Sequence, residues 1–261
     1  MNNKRLVYSL ICLGLLALSG CGKHQDSINT VNNTNITGGI NMENERKSYE
    51  NHSEILKELG SQKSYAKIAE DLNQLGIGGM TEQTINQLEK QSEQLPSEVL
   101  INKTAALLTI VGRGDINWAT EEWTPSKNGV YSFGSEVEAF RIDTMYSHFL
   151  LGISALGGEE LAFENIKEDT NAVNWAEGTG KRSVSFDWNG NTYTLEAEVT
   201  DDWFDFNVVN ALNEIIIKNK TGKRLYFTSD DYQEIIVFYR DEDWAKEFRN
   251  KTDLPLFESI S

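Results

Sequence analysis

The stretch from Ser183 to Val199 constrains this chain more than any other. Ser183–Trp188 and Thr192–Val199 alternate apolar and polar residues on either side of Asn189-Gly190. That dipeptide suits a type I′ turn, because both of its positions tolerate positive φ. A two-residue loop pairs Trp188 with Asn191, and hence Phe186 with Tyr193 and Val184 with Leu195. The opposite face sets Asp187 by Thr192 and Ser185 by Thr194. One apolar and one polar face is what a half-buried antiparallel sheet requires, and a slip of one residue would invert both.

Around this hairpin, residues 115–261 read as an α+β domain. Gly129 to Phe140 is expected to be extended, and Asp143 to start a helix through Met145, His148, Phe149 and Ile153 that ends at Gly157-Gly158. Leu161 to Ile166 reads as a strand. A helix from about Phe204 to Lys218 places Phe204, Val208, Leu212 and Ile215 on one stripe. Leu225–Thr228 and Glu234–Tyr239 suggest a second hairpin around Ser229-Asp230-Asp231. Asp241 then caps a last helix that holds Trp244 and Phe248 and fades before Pro255. An antiparallel sheet with helices packed on one face is the expected arrangement.

Residues 49–114 read as a helical section. Tyr65, Ile68, Leu72 and Leu75 recur at helical spacing until Gly76-Ile77-Gly78-Gly79. Thr81 caps a helix carrying Ile85, Leu88 and Leu95. After Pro96-Ser97, Leu100, Thr104, Leu107, Leu108 and Val111 line the next helix, up to Gly112 and Gly114. A shorter candidate surrounds Ile55, Leu56 and Leu59. Apolar stripes of this kind are expected to pack on the neighbouring domain.

The first twenty residues have the parts of an export signal. Lys4 and Arg5 supply positive charge, and Leu6 to Leu18 is an apolar run too short to span a bilayer stably. Ser19, Gly20 and Cys21 follow. The string Leu18-Ser19-Gly20-Cys21 resembles the bacterial lipobox, a resemblance confined to these first residues. It implies removal of residues 1–20, diacylglycerol on the Cys21 thiol and acylation of the new amine. The chain would then be held at the extracytoplasmic face of the cell membrane. Each buried CH₂ of an acyl chain contributes roughly 0.8 kcal/mol, so two or three chains hold a domain firmly. Residues 21–48 are rich in Asn, Thr, Ser and Gly and read as a disordered tether. Cys12 would leave with the signal and Cys21 would carry lipid, so no disulfide or thiol chemistry is expected downstream.

The chain carries 24 basic and 40 acidic residues. This balance disfavours nucleic acid and anionic lipid headgroups and favours cationic partners. The search for chemistry yields candidates with bland explanations. Gly178-Thr179-Gly180-Lys181 looks like the end of a phosphate-binding loop, but Trp175 stands where that motif needs a glycine, and Arg182 follows the lysine. The segment reads as a turn before a strand. His24 lies in the tether and His52 at a helix start, which leaves His148 alone on its helix. Neither a general base nor a zinc site is expected there. Asp201, Asp202 and Asp205 crowd a helix start, and Glu121-Glu122 precede Trp123. Such pairs could serve a glycosidase-like acid and base, but 40 acidic residues make them common by chance. Asp202 is expected to cap the helix that follows. A calcium loop is disfavoured, because Thr200–Asn207 has no glycine for the sharp turn.

The tryptophans Trp118, Trp123, Trp175, Trp188, Trp203 and Trp244 mostly neighbour acids or amides. Core use is expected for most of them, and exposed ones would suit stacking or partner anchoring. The functional expectation is a non-enzymatic binding or interaction lipoprotein with a protein or cell-wall partner and no cofactor or metal. Its rivals are a hydrolase of wall glycan using a carboxylate pair, and an immunity or inhibitor protein with an acidic face.

Overall fold

The computed structural model describes residues 63–94, 102–117, 119–120, 122–136, 142–230 and 233–260. The expected export signal, Cys21, the expected tether, the expected helix around Ile55, and Leu95, Leu100, Trp118, Glu121 and residues 137–140 lie outside them.

Three helices open the described chain. In α1, Tyr65–Gln74, the Ser64 hydroxyl accepts from Lys67 N–H, and Tyr65, Ile68, Ala69 and Leu72 are buried. In α2, Glu82–Ser92, Thr81 caps as expected by accepting from Thr84 N–H. The helix α3, Lys103–Gly112, starts at Asn102, whose side chain accepts from Ala105 N–H. Each cap satisfies one of the orphan donors that a helix start leaves.

A short ladder of β1, Asp115–Asn117, and β2, Glu122–Thr124, leads into β3, Tyr131–Gly134. A 3₁₀ turn at Ile142–Thr144 precedes α4, Met145–Gly157. A Cβ on Gly152 would come within 2.3 Å of the Tyr131 ring, so this glycine lets α4 lie directly on β3. Leu161 closes a second 3₁₀ turn instead of opening a strand. The strand β4 runs from Glu164 to Asp169, with a register shift between Glu164 and Lys167 where Asn165 takes positive φ.

The long hairpin joins β6, Thr179–Trp188, to β7, Asn191–Thr200. Its register is the expected one throughout, from Trp188↔Asn191 past Phe186↔Tyr193, Asp187↔Thr192 and Val184↔Leu195 to Thr179↔Thr200. The two-residue β5, Val173–Asn174, and β4 line the other side of β6. Val184, Phe186 and Trp188 are buried while Thr192 and Thr194 are exposed.

The helix α5 is Asn207–Lys218 and starts later than the sequence suggests. Phe204 N–H donates to the Ser135 carbonyl at 2.8 Å, and Asp205 N–H donates to the Tyr146 hydroxyl at 2.9 Å. These long-range bonds fix Phe204 and Asp205 against other elements, and the helix begins only after them. The second hairpin follows as β8, Arg224–Ser229, and β9, Glu234–Arg240. Asp241 caps α6, Glu242–Lys251, by accepting from Trp244 N–H.

The fold is therefore α+β, with antiparallel sheets. The three-stranded sheet β3-β9-β8 lies in the middle, between two cores. Tyr226, Ile236 and Phe238 face one core, with α1, α3 and α6, while Leu225, Phe227, Ile235, Val237 and Tyr239 face the other. The second core is shared with α4, α5 and the buried face of β6 and β7, so the larger sheet carries helices on one face. A fully buried Phe such as Phe238 or Phe227 contributes about 2–3 kcal/mol of transfer free energy.

Candidate functional site

Tryptophan placement separates structural from available aromatic surface. Three indoles tie neighbouring elements together through their N–H groups. Trp123 donates to the Arg113 carbonyl at 2.8 Å, Trp188 to Glu160 at 3.1 Å and Trp244 to Leu75 at 2.7 Å. Trp175 and Trp203 differ, with exposures of 45% and 47%.

These two lie at the same end of the larger sheet. Asp201 N–H donates to the Gly178 carbonyl at 2.8 Å, joining the turn that follows Trp175 to the turn that holds Trp203. Trp203 bridges both Thr200 and Glu136. Glu177 and Asp201 are exposed here, and Glu136 and Asp202 are half-buried. The phosphate-loop resemblance dissolves in this geometry. Its turn ends at Gly178, Thr179–Lys181 already belong to β6, and a Cβ on Gly180 would meet the Ala172 carbonyl at 2.3 Å.

Under Trp175 lies a buried ion pair. The side chains of Arg182 and Glu168 are 2% and 3% exposed, and the guanidinium contacts the carboxylate directly. Arg182 also donates to the Ile142 carbonyl at 2.6 Å and lies between the rings of Tyr146 at 4.9 Å and Trp175 at 5.7 Å. The other Glu168 oxygen accepts from the Ser147 N–H and hydroxyl, at 2.8 and 2.9 Å. Glu168 thus supplies the negative charge that the first turn of α4 lacks in its own sequence. Burial pushes the Tyr146 hydroxyl up to about 12. One face of Trp175 shields this pair, and the rest remains available.

The expected acidic group separates in the structure. Asp205, not Asp202, protects the start of α5: its Oδ1 accepts from Asn207 N–H at 3.0 Å and its Oδ2 from Glu198 N–H at 2.9 Å. Both oxygens are occupied by backbone donors. Asp202 lies in the preceding turn, which the late helix start leaves outside α5. Glu122 is exposed on β2 and accepts from the Thr120 hydroxyl at 3.0 Å. Among the described residues no three His, Cys, Asp or Glu side chains are grouped to hold a metal ion.

His148 is half-buried on α4, edge-on to Trp123 at 5.7 Å and 3.5 Å from the Thr144 hydroxyl. Burial lowers its pKa, against the opposing charges of Glu168 and Asp143. A depression lined by Lys63, Asp71, Thr104 and Lys251 has no room for a water molecule. No helix among the described residues is long and apolar enough to cross a membrane.

Sequence reasoning singled out the tryptophans and the Asp201–Asp205 group but missed Arg182 and Glu168. Their only signal was an arginine at an inward position of an alternating strand. No protein-family model, curated protein or solved structure matches this chain.

Proposed function

We propose that this chain is a lipoprotein anchored through Cys21 at the extracytoplasmic face of the cell membrane, and that its folded part is a non-enzymatic binding module. The observation that supports binding is the pair Trp175 and Trp203, each close to half exposed at one end of the larger sheet among carboxylates. Large aromatic side chains that keep an exposed face anchor partners effectively, because they bury much area at little cost in side-chain entropy. The formal charge of −16 favours a protein or cell-wall partner that is cationic, and disfavours nucleic acid. The lipobox resemblance at Leu18-Ser19-Gly20-Cys21 supports the anchor.

Crosslinking in native membranes tests both parts. The wild type is expected to capture a partner that a Trp203→Ala variant of unchanged melting temperature loses. Capture indifferent to Trp203→Ala and Trp175→Ala would remove this face from consideration. A Cys21→Ala variant is expected to incorporate no labelled fatty acid and to leave the membrane fraction. Persistent labelling would dispose of the anchor.

A further inference from the structure

The strand β7 is an open edge. It pairs with β6 and with no other described strand. In an antiparallel ladder alternate residues aim N–H and C=O at the partner strand, and the others aim theirs away. Glu198 N–H donates to Asp205 Oδ2, and the Thr200 carbonyl accepts from Trp203 N–H. Even-numbered residues of β7 therefore direct their backbone groups away from β6. Glu198 and Thr200 are satisfied by the segment that follows the strand. Thr192, Thr194 and Glu196 are exposed, and no described residue pairs their outward groups.

Natural sheets often blunt such an edge with proline, a bulge or charged side chains, lysine above all. Here β7 contains neither proline nor lysine, and its ladder with β6 runs without a register shift. Asp205 closes one end and leaves the stretch from Thr192 to Glu196 open.

We propose that this edge receives an extended segment of a partner protein in which basic and apolar residues alternate. The added strand would hydrogen-bond to Thr192, Thr194 and Glu196, in the manner of β-augmentation. On the solvent face it would meet Glu196 and Glu198, of which Glu198 already holds Lys181 at 2.8 Å. Basic side chains fit there. On the inner face it would lie beside Tyr193, which packs on the rim of the core, so apolar side chains fit there. A second copy of this chain would bring like charge, since each copy carries −16. The edge is separate from the Trp203 face, and neither proposal depends on the other.

Amide exchange on the full chain in detergent, with an acetylated peptide of alternating lysine and valine, tests the inference. The Thr192, Thr194 and Glu196 amides are expected to exchange fast in the free protein, and to slow at least about tenfold with saturating peptide. Thr194→Pro, which removes an outward donor, is expected to weaken binding more than about tenfold. Glu196→Lys is expected to weaken it about tenfold and is tolerated by an exposed position even if the proline variant fails to fold. The inference is overturned if saturating peptide leaves the three amides fast, or if a backbone N-methylated peptide binds equally well. Slow exchange in the free protein that depends on its concentration would also overturn it, by assigning the edge to a second copy.

Discussion

The two larger sheets solve the same problem in opposite ways. In β3-β9-β8 both faces are covered, so β8 and β9 bury consecutive residues: Leu225-Tyr226-Phe227-Thr228 and Ile235-Ile236-Val237-Phe238-Tyr239. In the β6–β7 hairpin one face is covered, and buried and open positions alternate along most of both strands. The doubly covered sheet joins two cores and has little surface for a partner. The half-covered one keeps its polar face, its edge and its Trp-bearing end available. Open surface in this molecule lies where burial stops, on the sheet that stabilises only one core.

The largest effects should come from alanine substitutions at adjacent positions. In β9, Phe238→Ala is expected to cost about 4 kcal/mol and Val237→Ala about 2 kcal/mol, because the two side chains enter different cores. In β6, Phe186→Ala should cost about 4 kcal/mol, while its neighbour Ser185→Ala should stay within about 0.5 kcal/mol. Urea denaturation reads all four. A negligible loss at Val237 would break the comparison.

Next in size is the ion pair beneath Trp175. Arg182→Met strands the buried Glu168 carboxylate, and should cost about 3 kcal/mol. Adding Glu168→Leu should recover part of that loss. A double variant as unstable as the sum of its single changes would show that the two groups are not coupled.

Smaller again is the brace that Asp205 makes ahead of α5. Asp205→Ala should cost about 1 kcal/mol, because it frees the backbone donors of Asn207 and Glu198. Asp202→Ala should remain within about 0.5 kcal/mol. The reverse order in thermal melts would make Asp202, not Asp205, the carboxylate that holds the start of α5.

The smallest effect is a pH dependence confined to the core beneath the half-covered sheet. Burial lowers the His148 pKa in the folded state, so the neutral ring is the stabilising form. Its contribution is complete above the ordinary histidine value of about 6.5, and is lost as the pH falls below it, because the unfolded chain binds the proton first. The wild type should therefore lose more stability than His148→Gln on acidification through that range. Equal slopes would show that the ring is solvated.

Much of this fold was legible because local rules and global packing agree. Asn189-Gly190 set the hairpin register, and Thr81 and Asp241 marked helix starts that the structure keeps. The start of α5 was not legible. The stripe from Phe204 to Leu212 has helical spacing, but the backbone at Phe204 and Asp205 bonds to Ser135 and Tyr146, residues distant in sequence. The candidate site was half legible. Each tryptophan has polar neighbours, so only the long-range pairing of Asp201 with Gly178 and of Trp203 with Glu136 distinguishes the open indoles from the tied ones. The continuous apolar run of β9 revealed burial but not that its two faces belong to different cores.

The closure of α6 onto α1 also sets an order of events for a chain that emerges from its N-terminus. Trp244 holds the Leu75 carbonyl, Lys63 reaches the Lys251 carbonyl at 3.1 Å, and Asp253 accepts from the Thr104 hydroxyl at 2.7 Å. Helices α1 to α3 therefore complete their core with residues made almost last. Until residues up to about Leu256 are available, Ile68, Leu72 and Leu108 lack part of their packing. Contacts this distant in sequence slow folding, since loop closure must precede any gain from burial. A ribosome that releases the chain gradually thus holds α1 to α3 in an aggregation-exposed state, and the final helix acts as the latch that ends it.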